Sequence, residues 1–216
     1  MKIRSIKVNY MLNAFRVISG AFISIITMPY INRTLGAKNI GSVEYVNTII
    51  NYLILFSSLG IPMYGIREIG KIRDDVIATT KTVVELLIIL FIASSISYLL
   101  LFGVLYQLNF LVNYKDLLLI MSSMIFLSNM GAEWYFQGIE DQVYITIRYI
   151  IVRLIALVLL FYIVEDTTDS LNYAIIVILT VCGSNFFNLF YIFKKINISS
   201  MYVFKLKWTF PKRVFS

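Results

Sequence analysis

Six runs of mostly apolar residues, at about 8–31, 44–64, 82–106, 116–138, 146–164 and 171–193, follow one another with only short polar turns between them. A helix needs about 20 such residues to cross the hydrocarbon core of a bilayer. In lipid, a helix also satisfies every backbone N–H and C=O within the segment. The runs therefore predict an all-α polytopic membrane protein, a lobe of six transmembrane helices. Composition agrees: charged residues make up 14% of the chain, against about 25% in a soluble domain. Histidine is absent and Cys182 is the only cysteine, which excludes internal disulfides, His-ligated metals and His-based proton transfer. Cys182 lies in an apolar run and reads as a small buried hydrophobe. No cofactor, no metal and no enzymatic activity is expected.

The connections, such as Asn32-Arg33-Thr34-Leu35-Gly36 and Glu165-Asp166-Thr167-Thr168-Asp169, are too short to hold a soluble domain. Pro29 and Pro62 are placed near helix ends, where a missing N–H costs little. The first run follows Lys2, Arg4 and Lys7 without a small-residue cleavage site, so it reads as a retained helix.

Orientation follows from the Lys/Arg balance between the two sides. With the N-terminus inside, Lys2, Arg4, Lys7, Arg67, Lys71, Arg73, Lys81, Arg148, Arg153 and the six basic residues from Lys194 to Arg213 collect on or near the cytoplasmic side. Only Arg33, Lys38 and Lys115 fall outside, and Arg16 lies within the first helix: fifteen against three. Both termini are thus expected in the cytoplasm. Residues 1–193 form the six-helix lobe. Residues 194–216 form a basic connector with Tyr202, Phe204, Trp208 and Phe210 at the headgroups. The net charge of +7 is read as loops facing anionic lipid, with membrane lipids as partners and no nucleic acid.

Polar side chains inside the bilayer fall on stripes. Asn9, Asn13, Arg16, Gly20, Ser24 and Thr27 recur at spacings of three and four in the first helix, hence on one face. Glu44, Asn47, Thr48, Asn51 and Ser58 do so in the second helix. Ser122, Asn129 and Glu133 share a face in the fourth, and Tyr173, Thr180, Ser184, Asn188 and Tyr191 in the sixth. Such stripes either surround a hydrated cavity or pack helix against helix. The charges narrow the choice. At 1.5 Å per residue, Arg16 lies roughly 12 Å, Arg153 roughly 10 Å and Glu133 roughly 8 Å from the cytoplasmic ends of their helices. Either the arginines line a site, or they snorkel to the headgroups, or Arg153 pairs with Glu133 for structure alone. Guanidinium matches phosphate oxygens two at a time. The candidate substrate-binding residues are Arg16, Arg153, Asn13, Asn47, Asn51, Asn129 and Glu133.

Three segments carry a family resemblance. They are Asn32-Arg33-Thr34-Leu35-Gly36-Ala37 with Gly41; Gly60-Ile61-Pro62-Met63-Tyr64-Gly65-Ile66-Arg67-Glu68 ahead of Arg73-Asp74; and Glu133-Trp134-Tyr135-Phe136-Gln137-Gly138-Ile139-Glu140-Asp141 with Tyr144 and Arg148. In this order the chain resembles, over essentially its whole length, the polysaccharide repeat-unit flippases of the multidrug/oligosaccharidyl-lipid/polysaccharide exporter superfamily. Arg33, Gly36, Arg67, Glu68, Trp134, Gln137, Gly138 and Glu140 are its motif residues. The resemblance implies two six-helix lobes around a cavity with alternating access. It also implies carriage of undecaprenyl-diphosphate-linked oligosaccharides across the bacterial inner membrane, for O-antigen or capsule. The 216 residues would supply one lobe and the start of an inter-lobe connector, to be completed by a second lobe or by a homodimer.

Three rivals compare with this reading. A cation-coupled drug exporter of the same fold would place acidic groups deep in this lobe, where the first helix carries Arg16 and no carboxylate. A membrane-embedded glycosyl transferase or polymerase needs a large loop or a catalytic carboxylate cluster on one face, and the external loops are too short and too poor in such groups. An inactive, truncated half-transporter is the third.

Overall fold

The structure, a computed structural model, describes residues 6–195. Lys2, Arg4 and all but the first two residues of the 194–216 connector lie outside the described residues. Among those described, every regular element is a helix: α1 (Ile6–Thr34), α2 (Gly36–Ser58), α3 (Ile61–Ile72), α4 (Val76–Gly103), α5 (Lys115–Met130), α6 (Glu133–Gly138), α7 (Gln142–Ile163) and α8 (Ser170–Lys195). Short 3-10 turns join α4 to α5. Five stretches are long and apolar enough to cross a membrane: Lys7–Thr34, Val76–Gln107, Asn109–Gly138, Gln142–Ile163 and Ser170–Ile192. The pair α2 and α3, bent by 45° between them, is long and apolar enough only when taken together. The protein is a polytopic all-α membrane protein.

The spans depart from the sequence expectation where polar residues extend or break them. The turn expected at residues 32–36 is almost absent, because α1 continues to Thr34 and α2 starts at Gly36. Gly36 has φ +74°, a conformation nearly free for glycine alone, so the chain reverses in a single step. The second span is not one helix over 44–64. Leu59 (φ 49°) and Gly60 (φ 72°) both turn left-handed, and Pro62 sits in the first turn of α3, where its missing N–H is harmless. Pro29 lies inside α1 rather than at its end. The fourth span is likewise broken, between α5 and α6, at Gly131 and the left-handed Ala132 (φ 41°). A side chain on Gly131 would overlap that of Asn185, so α8 packs directly against the break.

Two helices start earlier than their apolar runs because aspartates cap them. Asp75 accepts from the N–H groups of Ile77 and Ala78 at 2.9 and 3.0 Å, and Asp141 accepts from that of Tyr144 at 3.4 Å. Each satisfies donors that the first helical turn leaves free.

In the bundle α5 is central, packed by α2, α4 and α8, while α1 lies at the margin against α7 and α2. Only 6% of the α1 membrane window is buried, against 28–39% for the other four single spans, so α1 presents the largest open side. At one end of the bundle Tyr30 Oη donates to the Val164 carbonyl at 2.7 Å, and Asn39 Nδ2 to that of Thr167 at 2.6 Å. At the other end the start of α1, the whole of α3 and α6, and the start of α7 come together. Most of the described basic residues gather there.

Candidate functional site

Glu133 stands at the meeting point of α1, α6 and α7. It follows the left-handed Ala132, and that turn takes its side chain off the Ser122–Asn129 line of α5. The shared face expected for Ser122, Asn129 and Glu133 is therefore divided. Its Oε1 accepts from Arg16 NH1 and from Gln137 Nε2, each at 3.2 Å, and its Oε2 lies 3.6 Å from Arg148 NH2. Arg16 NH2 also donates to Asn13 Oδ1 at 2.9 Å. The pair expected between Glu133 and Arg153 is not formed; Arg148 takes that place.

Arg148 is the residue that sequence reasoning missed. With its run starting near 146, it stands at the very edge of the span and is counted with the cytoplasmic-side charges, not with the candidate site. Asp141 caps α7 and the helix starts at Gln142, so Arg148 lies two turns in and is buried. Its side chain is 5% exposed. The guanidinium lies 5.2 Å from the Tyr144 ring centroid and 5.9 Å from that of Phe136. Its Nε and NH1 are buried without a hydrogen-bond partner. The available signal was the Asp141 cap together with Tyr144 four residues ahead of Arg148 on one face.

Arg153 lies more than a turn further along α7 than Arg148, apart from the Arg16–Glu133 pair. Tyr149 stands between Arg16 and Arg153: the first is 5.9 Å and the second 5.0 Å from its ring centroid, inside the range of cation–π attraction. Gly20 on α1 leaves room for this ring, since a Cβ there would lie 2.5 Å from the Tyr149 hydroxyl. Beyond Tyr149, Arg153 lines a groove of about 160 Å³ between α1, α7 and α8, together with Ser24, Thr27, Tyr173 and Thr180. Its Nε also lacks a partner. Two guanidinium groups thus share one carboxylate and a third lies beyond Tyr149, leaving positive charge in excess within the membrane-spanning part of the fold.

The second and third motif segments form the scaffold beneath this cluster. Gly65 on α3 lies flat on the indole of Trp134, and Gly138 on α6 lies against Ile69 and the Ile66 carbonyl. Arg73 NH1 meets Glu140 Oε1 at 2.7 Å. Two stretches some seventy residues apart in sequence are one packed unit, and Glu133 is fixed at its edge.

The sequence pattern of the family described as "Polysaccharide biosynthesis protein" matches residues 8–215. The chain belongs to that family. No curated protein and no solved structure matches it. In this polysaccharide biosynthesis protein the other expected site residues scatter. Asn47 and Asn51 form an exposed ladder on α2, with Asn47 Nδ2 donating to Glu44 Oε2 at 3.2 Å and Asn51 Nδ2 to Asn47 Oδ1 at 3.1 Å. Asn129 is 4% exposed and donates to the hydroxyls of Ser57 and Ser94 at 2.6 and 2.8 Å. It joins α2, α4 and α5 and faces no open groove. Of the motif residues, Arg33 and Arg67 are exposed, Glu68 pairs with Lys71 at 3.0 Å, and Gln137 alone touches the charged cluster.

Proposed function

We propose that this protein carries undecaprenyl-diphosphate-linked oligosaccharide repeat units across the bacterial inner membrane, the export step of O-antigen or capsule assembly. The observation that carries the reading is the column Arg16, Arg148 and Arg153. Two of these guanidinium groups hold buried N–H donors without acceptors, and a diphosphate is the ligand class whose charge and oxygen count suit them. The basic end of the bundle is taken as cytoplasmic, so a headgroup made in the cytoplasm meets Arg16 and Arg148 before Arg153. The exposed polar face of α1 and α2 then calls for a facing surface, a second six-helix lobe or a second copy of the chain, because lipid cannot satisfy it. Rocking of the two halves would pass the site across the membrane. A cation-coupled drug exporter would place acidic groups deep in this lobe, whereas the cluster here sets two arginines against one carboxylate.

Export by cells whose only copy is the variant tests the reading. Arg16→Ala should abolish export at a normal protein level. Arg16→Lys should keep part of it, since the charge survives but the paired donors do not. Full export by a normally abundant Arg16→Ala protein overturns the diphosphate assignment.

A further inference from the structure

We propose that Glu133 is a resident stand-in for the ligand's anion: it holds Arg16 and Arg148 in the empty site and is displaced when a diphosphate binds. The inference rests on the diphosphate reading above and assigns Glu133 the opposite role to a substrate ligand.

The geometry of the cluster separates it from a structural ion pair. Charge-assisted bonds between guanidinium and carboxylate run at about 2.7–2.9 Å when well made. Arg73 and Glu140 reach 2.7 Å at the end of the same bundle. Glu133 instead takes one terminal nitrogen from each arginine, at 3.2 and 3.6 Å, and engages neither in a two-point fork. It neutralises charge while leaving Arg148 Nε and NH1 unbonded and buried, a costly condition for charged donors. A carboxylate has two oxygens, already divided among Arg16, Arg148 and Gln137. A diphosphate has more oxygens and more charge, so it can take the same donors and also the idle ones.

Displacement has a route. The Glu133 side chain is 34% exposed, so a ligand reaches it from the open side. Gln137, one turn along α6, retains it through a single bond at 3.2 Å. A returning carboxylate competes with bound phosphate and speeds its release, which a transporter needs as much as capture. Removing the carboxylate should therefore tighten binding and slow release.

The probe is inorganic pyrophosphate, titrated into purified full-length protein in nanodiscs. With Trp208 replaced by Phe, Trp134 remains as the one tryptophan and reports from the residue next to Glu133. E133Q should bind pyrophosphate about tenfold more tightly, the scale of one charge-assisted hydrogen bond. Arg16→Gln and Arg148→Met should lose binding. E133Q leaves Arg148 without a counter-charge and is expected to be less stable, so Gln137→Leu, which keeps every charge, is the second variant. It should tighten binding by a smaller factor, and pyrophosphate should raise the thermal midpoint of both variants more than that of the parent. Binding by E133Q and Gln137→Leu that is equal to or weaker than the parent's, with the arginine variants still defective, overturns the stand-in role alone. A parent protein that binds no pyrophosphate overturns the diphosphate reading beneath it.

Discussion

Gly65 offers a direct measure of how tightly the two motif segments are joined. A Cβ at this position would lie 2.5, 2.8 and 3.1 Å from Cε3, Cδ2 and Cζ3 of Trp134. That indole is 4% exposed and has no free side to turn toward. Overpacking of this kind costs about 1–3 kcal/mol. Gly65 is also inside a helix, where alanine gains about 1 kcal/mol over glycine, so the net loss for Gly65→Ala is about 0–2 kcal/mol. Gly41 supplies the control: it is exposed within α2, and nothing lies within 4 Å of its would-be Cβ. Gly41→Ala should show the propensity gain alone, and the difference between the two variants isolates the steric term at about 1–3 kcal/mol. Equilibrium unfolding in mixed micelles, read by tryptophan fluorescence, gives both values. A Gly65→Ala protein as stable as Gly41→Ala would refute the claim that the glycine exists to seat Trp134.

Asn129→Ala removes two bonds between helices, worth about 0.6 kcal/mol each on average; it should lower stability by about 1–2 kcal/mol and leave pyrophosphate affinity unchanged, a split that a titration and an unfolding curve read separately. Asp169 accepts from the backbone N–H groups of Asp166 and Glu165, which hold its carboxyl below the ordinary Asp value. A depressed folded pKa contributes stability above the unfolded pKa of about 3.9 and loses it as pH falls through the folded value. Hydrogen exchange at the start of α8 should therefore rise in acid below about pH 4, and Asp169→Asn should remove that dependence. In a Cys182→Ala background, single cysteines at Asn39 and Thr168 should label from outside the cell and one at Ser200 should not; the reverse pattern would invert the topology.

The spans were legible because a long apolar run needs no distant partner to become a helix in lipid. Their breaks were not. Gly60 and Pro62 mark the α2–α3 bend in hindsight, but nothing in its residue type marks Ala132 for a left-handed turn. That turn follows from packing, with Asn185 of α8 set against Gly131. Helix starts were missed for a different reason. Apolar length counts only what lies in hydrocarbon, while Asp75 and Asp141 start their helices in the polar layer beyond it. Four more residues at the start of α7 moved Arg148 from the edge of its helix to a buried position two turns in.

The site shows how a stripe read from spacing can give a wrong partner. Arg16 and Glu133 belong to one cluster, as the intramembrane cost of charge suggests, but the identity of the second arginine depends on the turn at Ala132. Had α5 continued straight through Gly131, Glu133 would have stayed on the Asn129 face, toward α2 and α4. The break sends it to α1 and α7 instead, and the α3–α6 packing holds it there. Gly65, Trp134 and Gly138, together with the Arg73–Glu140 pair, therefore bear on the charged cluster without touching its arginines. They fix where the one carboxylate stands between the guanidinium groups of Arg16 and Arg148.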